Sequence, residues 1–262
     1  MKQILTILFA YCTALPAFSF DHHGEIFQAG VTGATMTGAY TGSTTYREIV
    51  KHGNLGLGTA NGIRGEMVFL DGEVFITRDG QGHTEQPSLD TKTPFSIVSN
   101  FYPHTVFSLE NVDSKAHFTR LLKPRLVSDN VFYVMRIEGR FNLVRARSIT
   151  KPAGHNDLDL KQFIADNEQV NEYQNITGTM VVFKSPTFAY PMTVPGYHIH
   201  FISTDRKYAG HVYDFSIDQA SLSLQAASKF SIVLPDNAEF LAHKVEKVDH
   251  KVIHHVESGG KG

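Results

Sequence analysis

Residues 196–214 confine this chain to a β-sheet. Gly196-Tyr197-His198-Ile199-His200-Phe201 alternates strictly, and Gly210-His211-Val212-Tyr213-Asp214 starts a second run a short turn later. On a strand, residues i and i+2 share a face, so Tyr197, Ile199 and Phe201 form an apolar face and His198 and His200 lie opposite. A turn over Thr204 to Ala209 folds the next strand back and brings His211 to the face of the other two histidines. Three neutral imidazoles converging from a hairpin are the ligand set of an open zinc site, with a fourth position left for water or substrate. The alternative is a row of histidines on a solvated sheet face. Zn2+ suits imidazole and needs no redox chemistry, whereas iron, manganese or nickel in a cupin-like site is the competitor. A cupin pattern calls for a Glu soon after His-x-His, and Phe201-Ile202-Ser203-Thr204-Asp205 supplies none.

With 262 residues, 42% apolar and 19% charged, the chain is long and apolar enough for a real core. A formal net charge of −2 gives no electrostatic case for nucleic acid or an anionic membrane surface. The N-terminus reads as a signal peptide over residues 1–19. Lys2 is followed by an apolar run, Ile4 to Leu15, too short to span a bilayer, and then by Pro16-Ala17-Phe18-Ser19 with small residues before the cut. The alternative is an uncleaved, buried N-terminal strand. Cleavage implies export, to periplasm or medium, and no membrane attachment afterwards. Cys12 is the only cysteine and lies inside that signal, so the mature chain has no thiol for a disulfide or a Cys-based metal site. Metal-ligand capacity then rests on histidines and carboxylates.

The chain reads as α+β and sheet-dominated, with two domains built on mixed or antiparallel sheets and a few short helices. The Gly/Thr-rich stretch 21–65 carries no dinucleotide fingerprint. A short helix is expected over Ser43–His52. Met67–Leu70 and Glu73–Ile76 flank Asp71-Gly72, a two-residue hairpin turn. Further strands are expected over Phe95–Phe101 and Val131–Ile137, with Glu138-Gly139-Arg140 turning the latter into Phe141–Ile149, and a helix between Asp113 and Leu122. Lys151-Pro152-Ala153-Gly154 reads as a break between an N-terminal domain, 20–150, and a C-terminal domain, 151–262. After it come a helix over Asp157–Asp166, strands over 178–183, 196–203, 211–217, 222–226 and 230–234, and a last helix over Asn237–Val245. His22, His23, His250, His254 and His255 read as belonging to solvated, mobile ends.

Among charged residues, Glu66 opens a hairpin strand on the face of Val68 and Leu70, at a sheet rim or in a site. Arg147 ends a strand on whose face Phe141, Leu143 and Arg145 also lie. A partly buried arginine calls for an anionic partner, structural or functional, and Arg145 competes with it by simple alternation. Glu257 stands near the C-terminus, where carboxylates are mostly solvated.

Taken together, these segments resemble the bacterial α-acetolactate decarboxylases. The likeness runs from about Ile26 to Glu257. It includes Gly56-Leu57-Gly58-Thr59, Gly65-Glu66 with Asp71-Gly72-Glu73, Val131-Phe132-Tyr133 with Arg136-Ile137, and Thr187-Phe188-Ala189-Tyr190. The two histidine segments, at their spacing, are the specific part. The resemblance implies that His198, His200 and His211 hold zinc, that Glu66 and Arg147 are active-site residues, that Thr59 lines the site, and that Glu257 reaches it from the C-terminal tail. It also implies a homodimer and a small-molecule substrate, 2-acetolactate, converted to acetoin and CO2. The metal would be the electron sink on the hydroxyl and carbonyl oxygens, Arg147 would take the carboxylate, and Glu66 or Glu257 would give the proton. The rivals are a three-histidine zinc hydrolase or hydratase, a cupin-like metalloenzyme, and an exported binding module without turnover.

Overall fold

The computed structural model describes residues 24–154, 160–245 and 248–259. The signal peptide, His22 and His23, and the first residues of the helix expected at Asp157 lie outside the described residues. In the first half the elements are β1 (Gly24–Ala29), α1 (Thr32–Met36), β2 (Thr44–Thr45), α2 (Tyr46–Ile49), β3 (Leu55–Ala60), β4 (Arg64–Leu70), β5 (Glu73–Thr77), β6 (Thr84–Glu85), β7 (Lys92–Thr93), β8 (Ser96–Ser99), β9 (Thr105–Val112), α3 (Lys115–Leu122) and β10 (Phe132–Ile149). After residues 151–154 come α4 (Leu160–Asn167), β11 (Glu168–Ser185), β12 (Gly196–Ser203), β13 (Ala209–Val233), α5 (Ala238–Ala242) and α6 (His250–Ser258). The molecule is sheet-dominated, with few and short helices.

Eleven strands join in one sheet that runs β10-β11-β12-β13-β1-β8-β3-β4-β5-β6, with β9 added on β13. β10 also pairs with β13, so β10, β11, β12 and β13 pair in a closed circuit. The pairings are antiparallel except β1 with β13, which makes the sheet mixed. Inside the circuit, Phe141, Met180, Ile199, Phe201 and Phe215 are buried together. A second cluster, with Ile26, Leu57, Val68, Ile97, Val134, Val181 and Ile202, packs the N-terminal strands on the circuit's outer side. Alternation therefore works as expected on β12: Ile199 and Phe201 enter the first core, and His198 and His200 lie on the opposite face, where His200 meets β4 at Met67.

Several strands are longer than expected. Glu138-Gly139-Arg140 does not turn. β10 runs straight through it, and Gly139 pairs with Gly178 on one side and Ala220 on the other. A Cβ at Gly139 would lie 2.2 Å from the Gln219 carbonyl oxygen, so glycine serves close strand approach here rather than a bend. The three expected strands between 211 and 234 are one, β13, whose irregularities are absorbed as bulges in its pairing with β10. The expected helix over 43–52 contracts to α2, whose N-cap is Thr45, its hydroxyl accepting from Glu48 N. The Asp71-Gly72 hairpin forms, with both turn residues at positive φ.

The largest departure is the C-terminal tail. Instead of a solvated end, residues 250–258 form α6, N-capped by Asp249 and closed by Gly259 in the left-handed conformation. Ile253 and Val256, one helical turn apart, are buried against Leu160, Phe163 and Ile164 of α4. This packing carries Glu257 inward, while His254 stays exposed.

Candidate metal centre

β12 and β13 form the hairpin that holds the histidines. His200 lies directly opposite His211 in the register, and directly opposed residues share a face. His198 follows by alternation. The three ring centroids are 5.1–5.2 Å apart, and one nitrogen of each ring lies within 4.8 Å of the others. All three residues are buried, His200 and His211 to 1% exposure.

Burial keeps these imidazoles neutral. It pulls the pKa of His198 down to about 3, helped by the Arg147 guanidinium, and pulls His200 and His211 well below their ordinary value. His200 Nδ1 donates to the Met67 carbonyl at 2.8 Å, which fixes the tautomer and leaves Nε2 as a bare lone pair. That Nε2, His211 Nδ1 and Glu257 Oε2 are buried without a hydrogen-bond partner. Buried polar atoms are nearly always paired, so bare nitrogens on His200 and His211 within a three-imidazole cluster fit a cation that would satisfy them.

Four more expected residues converge here. Glu66 Oε2 stands 3.5 Å from His200 Nε2, and Glu66 Oε1 accepts from Arg147 Nε at 3.0 Å. The two side chains of this ion pair are each 6% exposed. Arg147 is paired opposite His211 on the neighbouring strand, which settles its competition with Arg145: Arg145 instead faces Glu172 at 3.8 Å. Burial raises the Glu66 pKa, and the Arg147 charge opposes this. Glu257 Oε2 lies 3.7 Å from His211 Nε2 and 3.9 Å from His198 Nε2. Burial lifts its pKa to about 7, against the pull of Arg147 and Lys115. Thr59, opposite Glu66 in the β3–β4 register, is 7% exposed and donates to the Gly65 carbonyl at 2.7 Å.

All of these groups but His211 line a cavity of about 60 Å³, walled on its apolar side by Met36, Phe95, Leu160, Ile164 and Val194. A larger cavity, about 610 Å³, opens on the other side of α6 beside Lys115, Tyr197 and Tyr213, and Glu257 borders both. Three neighbours were not singled out in the sequence. Tyr213 accepts from Arg147 Nη1 at 3.0 Å and donates to Glu168, and Lys115 Nζ reaches the Glu257 carbonyl at 3.5 Å. Tyr213 was legible in principle, two residues after His211 on one strand face. Glu168 and Lys115 carry no local signal, because tertiary packing alone brings them in.

A profile of the alpha-acetolactate decarboxylase family matches residues 26–247. The chain belongs to this family. It is 34% identical over 240 residues to the alpha-acetolactate decarboxylase of Methylococcus capsulatus, covering 91% of this chain and 90% of that one. It is 30% identical over 236 residues to the enzyme of Brevibacillus brevis, covering 90% of this chain and 82% of that one. The crystal structure of alpha-acetolactate decarboxylase from Bacillus subtilis superposes with a TM-score of 0.84 at 26% identity, covering 89% of this chain and 99% of that one. As a member of the alpha-acetolactate decarboxylase family, the chain is a carboxy-lyase. Its three buried histidines fit the metal-dependent chemistry that such a site can perform.

Proposed function

We propose that this protein converts 2-acetolactate to acetoin and CO2 with Zn2+ held by His198, His200 and His211. The observation that carries the metal is the His200 geometry: Nδ1 is committed to a backbone carbonyl, and Nε2 is buried without a hydrogen-bond partner in a cluster whose three imidazoles each bring a nitrogen within 4.8 Å of the others. Zinc is favoured because three neutral imidazoles without a thiolate are its usual open site. When bound, the ion would supply a Lewis acid, and the electron pair that decarboxylation leaves behind would pass to the substrate's carbonyl oxygen.

The protein's own residues do the rest. Arg147 spends Nε on Glu66 and Nη1 on Tyr213 and the Val256 carbonyl, and Nη2 makes no hydrogen bond among the described residues. That free edge is suited to the substrate carboxylate, which it binds and orients until CO2 departs. Glu66 anchors the guanidinium through Nε. Glu257 is placed to give the proton. Its carboxyl is buried, its Oε2 has no hydrogen-bond partner, and burial raises its pKa, which favours the protonated form that a donor needs. Thr59 and the apolar wall keep water from the reacting carbon.

The family likeness also supports a homodimer, and Lys2 with the apolar run after it supports export. No helix among the described residues is long and apolar enough to cross a membrane. The test is to supply acetolactate and, separately, simple esters to the zinc-loaded protein. Acetoin with an equimolar amount of CO2 is expected. Ester hydrolysis without CO2 would make the site a zinc hydrolase instead.

A further inference from the structure

We infer that Tyr213 is a positioning residue for substrate carboxylate recognition, acting through Arg147. This rests on the reading above that Arg147 takes the carboxylate. In the β10–β13 register, Arg145 pairs with Asp214 and Ala146 with Val212, so Tyr213 is the extra residue of a bulge. Bulges re-aim side chains next to sites, and this one turns a 4%-exposed tyrosine onto the guanidinium. Its hydroxyl accepts from Arg147 Nη1 at 3.0 Å and donates to Glu168. The Val256 carbonyl takes the second Nη1 hydrogen at 2.8 Å, and Glu66 takes Nε at 3.0 Å.

Three acceptors, two on Nη1 and one on Nε, fix the guanidinium plane and leave Nη2 without a hydrogen bond among the described residues, on a side chain that lines the cavity. Glu168 sharpens this arrangement, because it takes the tyrosine proton and so commits the hydroxyl oxygen to accepting from arginine. The tyrosine ring is itself held. It stands edge-on to His211 with centroids 5.6 Å apart, and Gly259, the cap of α6, lies so close that a Cβ there would be 2.8 Å from the ring. One side chain thus ties the carboxylate-binding edge to the strand of His211 and to the end of the helix that carries Glu257.

The test compares inhibition by two small probes. 2-Hydroxy-2-methylpropanoate carries the hydroxyl and the carboxylate, and butane-2,3-diol carries vicinal oxygens without a carboxylate. In Tyr213→Phe the inhibition constant for the hydroxy acid is expected to weaken roughly tenfold or more, the span for losing a hydrogen bond to a charged group. The diol is expected to stay within about twofold, the zinc content to stay unchanged, and the loss in acetolactate turnover to fall chiefly on KM. Glu168→Ala is expected to give the same selective loss in smaller measure, and Glu168→Gln, which still accepts the tyrosine proton, to restore it. The Glu168 pair carries the test should Tyr213→Phe fail to fold. Equal weakening of both probes, or of neither, overturns the role of Tyr213. Wild-type protein that forms no acetoin overturns the underlying decarboxylase reading instead.

Discussion

His200 is the residue on which the proposed metal centre most depends. A surface imidazole would hydrogen-bond water through both nitrogens, but this one has one nitrogen bound to Met67 and the other buried and bare. Replacing it should therefore remove the ion rather than merely loosen a core. His200→Ala is expected to purify without stoichiometric zinc and without activity, measured by elemental analysis beside an acetoin assay. An active, metal-free variant would contradict the centre. Glu257→Gln keeps the shape and removes the proton, so it should retain zinc and lose about 10²–10⁴ in turnover, the usual span for acid–base catalysis. Acid should strip stability in a defined window. Folded His198 protonates near pH 3, against an ordinary value of 6.5, and His200 and His211 shift the same way. Above pH 6.5 the stabilisation is complete. Below it the unfolded chain binds protons that the folded chain refuses, so stability falls as pH falls towards 3. Glu257 opposes this between its ordinary 4.5 and about 7, and Glu66 shifts in the same direction, but they are two groups against three. The melting temperature of chelated protein should thus rise from pH 4.5 to 6.5, and a flat or falling profile would contradict the buried, neutral histidines.

Among the elements, the β12–β13 hairpin was the most legible, because period-two alternation fixes which face a histidine takes without knowledge of anything distant. β10 was less so. Gly139 looks like a turn residue, and only the flanking strands reveal that it is there for close approach. α6 was hidden. Its lysine and histidines suggest a solvated end, although Asp249, the Ile253–Val256 spacing and Gly259 are an N-cap, a buried stripe and a C-cap in the right order. Glu257 could not be chosen from local chemistry for that reason, and the family resemblance was what pointed to it. Glu66 and Arg147 are a similar case: 81 positions separate them, and their 3.0 Å contact is a product of strand order. Local strain also places Glu66. Gly65 sits at φ +87, and a Cβ there would be 2.5 Å from the Thr77 carbonyl oxygen. Gly65→Ala should cost about 1–3 kcal/mol in denaturant unfolding and lower activity by displacing the start of β4. Wild-type stability with full activity would show that this conformation does not hold the carboxylate.

At the scale of the whole molecule, the candidate centre lies where the closed circuit of β10–β13 meets the N-terminal strands, and α6 covers it. No single segment contains it: His198, His200 and His211 come from the circuit, Glu66 and Thr59 from β3 and β4, and Glu257 from the far end of the chain. The sheet-dominated α+β class was readable from alternation and short connections. The single sheet that gathers strands from both sides of residues 151–154 was not, since the parallel pairing of β1 with β13 joins segments some two hundred residues apart. That architecture gathers Glu257, Arg147 and the histidine cluster around one small, mostly apolar cavity, the parts that the proposed decarboxylation without an organic cofactor would use. The most direct measurement is CO2 and acetoin release from acetolactate by purified protein before chelation, after chelation, and after zinc is returned, with bound metal quantified at each stage. We predict turnover that is lost with the metal and restored at one zinc per chain. Undiminished turnover by protein shown to be metal-free would contradict the account.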